Sequence, residues 1–231
     1  MSAIRLFFAL WPSPPLAASL AEWAQAARPH CGGRIMRTET LHLTLAFLGP
    51  VEAQLADALA AATPTRSVPP GELMLDRYGV FKRQRILWAG PRQAGPRQAG
   101  PRQAGPRQAG PRQAGPRQAG RDEAEPNPTE PHRPDSLQPD SHQPETQPAP
   151  APLQVIHDRL WQWLAGYGLT APPQPFRPHV TLLRNIERDD PPPPPPAPLI
   201  WRYDRLVLVA SESQTGGSRY RIVAQSRPLE P

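Results

Sequence analysis

The chain holds one cysteine, Cys31, among 231 residues. No disulfide can form within it, which fits a reducing compartment and leads us to expect a cytoplasmic protein. A nucleophilic thiol would need a partner histidine, whereas Cys31 sits beside Gly32 and Gly33 in a turn-like stretch and reads as a bystander. No run approaches the ~18 apolar residues of a membrane span, so no membrane partner is expected. The apolar start, residues 4–11, is stopped by Pro12 and Pro14. It is too short for a signal peptide and reads as a buried first strand. Lysine is almost absent: Lys82 is the only one among 26 Lys and Arg.

Large apolar side chains are missing from residues 91–150, where Leu137 stands alone. The segment opens with six perfect copies of Pro-Arg-Gln-Ala-Gly and continues as a tract of Pro, Glu, Asp, Gln and Ser. Proline and glycine in every five-residue unit exclude a helix or a ladder strand, and the period is too short for a solenoid. Both halves read as a disordered insertion, with an Arg-rich arm touching nucleic acid as the functional alternative. Residues 191–196 are all proline and predict a short polyproline II loop. Without the insertion 171 residues remain, enough for one domain with a core. The formal net charge is +6 overall; the insertion contributes +6 from its first half and −5 from its second, so the rest carries +5. That excess suits an anionic partner such as RNA, and it equally reflects a bias toward arginine.

The remaining sequence alternates strand and helix patterns. Strands are expected at residues 5–11, 41–48, 73–78, 85–89, 179–183, 204–211 and 219–225, with Gly49-Pro50 ending the second. Helices are expected at residues 16–27, 53–62 and 153–165, the last with Leu153, Ile156, Leu160 and Leu164 at helical spacing. Two groups of strands with interspersed helices predict an α+β fold with two similar lobes.

Two of these strands echo each other: Leu41-His42-Leu43-Thr44-Leu45 and Pro178-His179-Val180-Thr181-Leu182. Alternation puts His42 and Thr44 on one face, about 7 Å apart, and Leu41, Leu43, Leu45 and Phe47 on the core face. His179 and Thr181 repeat the arrangement against Val180 and Leu182. One His-x-Thr is weak evidence, since a surface histidine explains it. Two copies in matching strands imply two related lobes facing each other across a cleft. Histidine titrates near neutrality, as acid–base chemistry requires, and threonine can donate to a phosphate oxygen. A metal site would need three or four convergent ligands; Glu39 has the wrong parity for His42, and no acid closely precedes His179. Neither a nucleophile-triad motif nor a phosphate-cradling glycine loop is present.

The two motifs resemble the signature of the 2H phosphoesterases, in particular the RNA 2′,3′-cyclic phosphodiesterases also called LigT-like 2′-5′ RNA ligases. The flanks are similar as well: Arg5-Leu6-Phe7-Phe8-Ala9-Leu10, LHLTLAFLG at 41–49, Tyr78-Gly79-Val80-Phe81 with Leu87-Trp88-Ala89-Gly90, and Arg177-Pro178-His179-Val180-Thr181-Leu182-Leu183-Arg184. The resemblance covers residues 4–90 and 153–229 and leaves out the insertion. It implies a single domain, residues 1–90 and 151–231, with a bilobal fold: two antiparallel sheets, outer helices and a central cleft. It implies hydrolysis of RNA 2′,3′-cyclic phosphate ends to 2′-phosphomonoesters without metal or cofactor, by a chain expected to act as a monomer. In that scheme His42 protonates the leaving 3′-oxygen, His179 activates water, and Thr44 and Thr181 hold the non-bridging oxygens. Arg184 is a further candidate for the phosphate, although strict alternation puts it on the face opposite His179. The alternatives are the reverse reaction, RNA 2′-5′ ligation, and a catalytically silent RNA-binding module. Phosphate binding alone would favour Arg and Lys over two histidines.

Overall fold

The computed structural model describes residues 3–92, 152–190, 192–214 and 217–229. The insertion, apart from Pro91 and Arg92, lies outside the described residues, as does Pro191 of the proline tract.

In chain order the elements are β1 (Ala3–Leu10), α1 (Pro14–Cys31), β2 (Arg34–Ile35), β3 (Leu43–Glu52), α2 (Ala53–Ala62), β4 (Ser67–Val68), β5 (Gly71–Leu75), β6 (Arg77–Phe81), β7 (Ile86–Gly90), α3 (Pro152–Ala165), β8 (Val180–Arg184), β9 (Leu199–Tyr203), β10 (Val207–Gln214), β11 (Gly217–Gln225) and β12 (Arg227–Pro228). The expected α+β class is what is found. The main sheet runs β11-β10-β1-β3-β8-β7-β6, with β2 also on β8. All its pairings are antiparallel. It consists of two four-stranded sheets, β11-β10-β1-β3 and β2-β8-β7-β6, joined between β3 and β8 by the single pair Leu43–Val180.

The lobes do not follow the two halves of the chain. The first combines β1 and β3 with β10 and β11 from the carboxyl-terminal end, and the second takes β8 into the company of β2, β6 and β7. Sequence order alone could not show this, because antiparallel partners need not be neighbours along the chain.

One face of β1 places Leu6, Phe8 and Leu10 at no more than 1% exposure in the main core. Each such side chain contributes roughly 1.5–3 kcal/mol by leaving water. The other face adds Phe7 and Ala9 to a smaller cluster with Val207 and Val209. The helices cover the first face: α2 packs on β1 and β3, α3 on β3, and α1 on β2 and β8. The buried residues of α1 (Ala17, Leu20, Trp23, Ala24, Ala27, Cys31) and of α3 (Leu153, Ile156, Leu160, Trp161, Leu164) recur at three- and four-residue spacing, one stripe per helix. Pro14 and Pro15 fit the first turn of α1, where backbone N–H groups have no helical partner.

Several strand boundaries differ from the sequence reading. β3 begins at Leu43 and β8 at Val180, so each motif histidine stands one residue before its strand, and β10 runs three residues later than expected. β3 continues through Gly49-Pro50 to Glu52, because β1 lies alongside it and pairs Leu6 with Gly49 and Arg5 with Pro50. The single strand expected at 73–78 breaks at Asp76: β5 turns to pair with β9, and β6 pairs with β7. β9 itself was not anticipated: its burial alternates along the strand, but in the sequence Leu199-Ile200-Trp201 is an unbroken apolar run and only Arg202 marks the solvent face.

Candidate active site

The pair Leu43–Val180 determines the geometry of the site. Each partner is the residue immediately after a motif histidine, so antiparallel pairing puts His42 opposite Thr181 and Thr44 opposite His179. Directly opposed side chains start about 5 Å apart, and the diagonal pair, His42 and His179, about 7–8 Å apart. That gap leaves room between the rings for a phosphorus centre. All four side chains line one cavity of about 150 Å³, together with Met36, Thr40, Ile86 and Arg184.

The two histidines are held in the same way. His42 Nδ1 donates to the Thr40 carbonyl at 2.7 Å, and His179 Nδ1 donates to the Arg177 carbonyl at 2.7 Å. A carbonyl can only accept, so Nδ1 carries the proton and each neutral ring presents a bare Nε2. Aromatic rings fix both planes. Trp11 stacks on His42 at 5.6 Å, with Phe7 at 4.8 Å and Tyr220 edge-on at 5.3 Å. Phe81 and Trp88 meet His179 edge-on at 4.9 and 6.1 Å. Burial among these rings lowers His42 to about 4; the Thr40 carbonyl works the other way, and the positive charge of Arg184 adds to the lowering. His179 is lowered by the same causes, burial first. Both imidazoles are therefore neutral at pH 7 in the unliganded chain.

Two residues stand where strict alternation would not put them. β3 carries an irregularity against β1 between Phe8–Ala46 and Ala9–Thr44, which leaves Leu45 as an extra residue. β8 carries the same irregularity against β7 between Leu87–Leu183 and Trp88–Thr181, which leaves Leu182 as the extra residue. A bulge reverses the face of everything beyond it. Phe47, expected in the core, is instead 57% exposed. It lines a second cavity, of about 570 Å³, with Thr44, Phe81, Trp161, Phe176 and His179 among its walls. Arg184 turns onto the histidine face and lines the reaction cavity. The motifs are thus alike beyond His-x-Thr: each has a bulged leucine after the threonine, then a site residue five positions after the histidine, Phe47 in one and Arg184 in the other.

Arg184 is supported from behind. Gly33 has φ +84°, and a Cβ there would come within 2.7 Å of the Arg184 carbonyl. Only glycine allows the chain leaving α1 to lie this close and start β2 against β8. Trp11, Phe7, Tyr220, Phe81 and Trp88 were not singled out from sequence. Phe7 and Trp11 could have been, since they share the odd-numbered face of the strand expected at 5–11. The carbonyl anchors of the histidines leave no sequence signal at all.

Among the described residues no three His, Cys, Asp or Glu side chains come together as a metal-binding group. No helix among them is long and apolar enough to cross a membrane.

Comparison with known proteins gives this geometry a context. Residues 10–88 match the family model LigT like Phosphoesterase. That stretch contains the first motif and ends before the second. An 89-residue stretch is 37% identical to the RNA 2′,3′-cyclic phosphodiesterase of Escherichia coli (strain K12), covering 38% of this chain and 51% of that protein. The sequence match therefore spans about half the length of that relative. A phosphoesterase crystal structure is similar with TM-score 0.68 at 24% identity over 99% of each chain. E. coli LigT complexed with 3′-AMP is similar with TM-score 0.67 at 24% identity, also over 99% of each. A protein of Thermus thermophilus, TT0787, reaches 0.58 at 20% identity over 96% of each. The LigT phosphoesterase fold, with its two antiparallel sheets, is the fold of this chain.

Proposed function

We propose that the chain hydrolyses RNA 2′,3′-cyclic phosphate ends to 2′-phosphomonoesters. The observation that carries this reading is one cavity lined by two histidines with bare Nε2 atoms, two threonines and an arginine. The name of the E. coli relative agrees with it.

The cyclic phosphate sits between the rings, its non-bridging oxygens accepting from Thr44 and Thr181 and facing the Arg184 guanidinium. Water attacks phosphorus from the His179 side while Nε2 of His179 takes its proton. The P–O3′ bond breaks, and the departing oxygen takes a proton from Nε2 of His42. The product keeps the P–O2′ bond. His42 starts out neutral, so it must gain its proton as the anionic phosphate binds beside it; a nearby negative charge favours the imidazolium. Phe47 and Phe81 in the adjoining cavity offer apolar faces on which a base can stack. The domain responsible comprises residues 1–90 and 151–231. No metal enters the scheme, because the two imidazoles supply both proton transfers.

The test is turnover of a 2′,3′-cyclic nucleotide with excess chelator, the product resolved by chromatography. A 2′-phosphate is expected. A 3′-phosphate would reverse the leaving group, and activity abolished by chelator and restored by a divalent ion would overturn the two-histidine scheme.

A further inference from the structure

Beside the reaction cavity lies another, of about 270 Å³, that the chemistry above does not use. Its walls include Arg34, Arg37, Arg184, Ser218 and Tyr220, and it shares Met36, Thr40 and Arg184 with the reaction cavity. No carboxylate lines it. Arg34 and Arg184 are direct cross-strand partners on β2 and β8. Like charges directly opposite each other destabilise a sheet pair. Neither has an ion-pair partner among the described residues. Arg37 is steered to the same cavity by Nη2, which donates to the Ser218 carbonyl at 2.7 Å. Its only ion pair among the described residues is with Glu39 at 3.5 Å, between two exposed side chains that water screens. Three guanidiniums thus converge where an anion would relieve their repulsion, next to a centre that takes a phosphate.

We propose that this cavity is a second phosphate subsite, which takes the internucleotide phosphate preceding the cyclic end and makes an RNA oligonucleotide the preferred substrate over a mononucleotide. The inference rests on the proposed hydrolysis for its substrate class. Arg184, common to both cavities, lies between the two phosphates. Guanidiniums suit this use, since their planar forks match phosphate oxygens.

Two measurements on the full chain test it. The first compares KM and kcat for a pentanucleotide with a 2′,3′-cyclic end and for a 2′,3′-cyclic mononucleotide. The unmodified chain is expected to favour the pentanucleotide by about tenfold or more in KM, as one additional charged contact would give. Arg34→Gln and Arg37→Gln should each raise KM for the pentanucleotide several-fold more than for the mononucleotide. Arg34→Lys should keep part of the advantage. Equal KM for the two substrates, or variants that weaken both alike, would overturn the subsite. The second measures binding of a fluorescent pentanucleotide carrying a 2′-phosphate end, by anisotropy against salt. Each Arg→Gln change should lower the slope of log affinity against log salt by about 1. If neither cyclic substrate turns over, the hydrolysis reading fails, and this second measurement still decides the subsite: a slope that neither variant changes sinks it.

Discussion

At the residue scale, the two histidines are equivalent in their anchors and unequal in their surroundings. Both give Nδ1–H to a carbonyl two residues earlier, so a proton exchanged with substrate must pass through Nε2. In-line opening of a cyclic phosphate needs one such group on each side of phosphorus. General acid–base help is worth about 10²–10⁴-fold per group. His42→Ala and His179→Ala should each reduce kcat by that order, with the double variant little worse than the worse single, because the pair acts as a unit. A substrate with sulfur as the leaving 3′-atom separates the roles, since a thiolate departs without a proton. It should largely restore His42→Ala and leave His179→Ala impaired; the reverse pattern would exchange acid and base. The depressed titration of both rings adds a pH signature. The active form needs His42 protonated and His179 neutral. In the free chain both groups bind protons only below their ordinary range, so the optimum of kcat/KM should lie on the acid side of neutrality. Bound phosphate raises both groups, and the optimum of kcat should lie at higher pH. The two profiles, measured on one substrate, check the ordering; coincident optima would mean that phosphate does not lie between the rings.

At the element scale, the motif strands show what a period-two pattern can and cannot convey. The common face of His42 with Thr44, and of His179 with Thr181, follows from alternation over two residues, too short a distance for an irregularity to intervene. Phe47 and Arg184 lie beyond the bulges at Leu45 and Leu182, and there alternation misleads. The adjacent buried pairs Leu45-Ala46 and Leu182-Leu183 are the trace of the extra residue in each strand. A run of apolar residues reads the same in sequence with or without a bulge, so the pairing had to come from the fold. Phe47→Ala tests the consequence. A core phenylalanine would cost about 3–5 kcal/mol on truncation. An exposed one on the wall of a substrate cavity should change stability by about 0.5 kcal/mol or less while raising KM. Chemical denaturation together with steady-state kinetics distinguishes the two, and a large loss of stability would return Phe47 to the core.

At the scale of the whole molecule, the lobes are shared between chain halves, so residues 152–229 are as necessary to the fold as residues 3–92. β8, which follows directly on His179, joins a sheet otherwise built from β2, β6 and β7, and α3 packs on β3 and β5 across the position of the insertion in sequence. Composition marked residues 91–150 as foreign to this arrangement, and composition alone supports that reading, because nearly all of the segment lies outside the described residues. The described residues show where it leaves the fold. β7 ends at Gly90, whose carbonyl accepts from the Asp76 backbone N–H at 3.1 Å. The Arg92 backbone N–H donates to Asp76 Oδ1 at 2.6 Å. The useful deletion therefore keeps Pro91 and Arg92 and replaces residues 93–150 by a linker of about eight Gly and Ser. The entropy of closing a loop grows as the logarithm of its length. Shortening a connection of about 60 residues to about eight should therefore stabilise the fold by roughly 2 kcal/mol. That corresponds to a rise in Tm of about 4–8 °C for a domain of this size. Turnover of a cyclic mononucleotide should be retained within about twofold, since no proposed site residue is removed. Calorimetry and kinetics on the two forms decide the matter: a lower Tm, or loss of cooperative unfolding, would give the segment a structural part that its composition does not reveal.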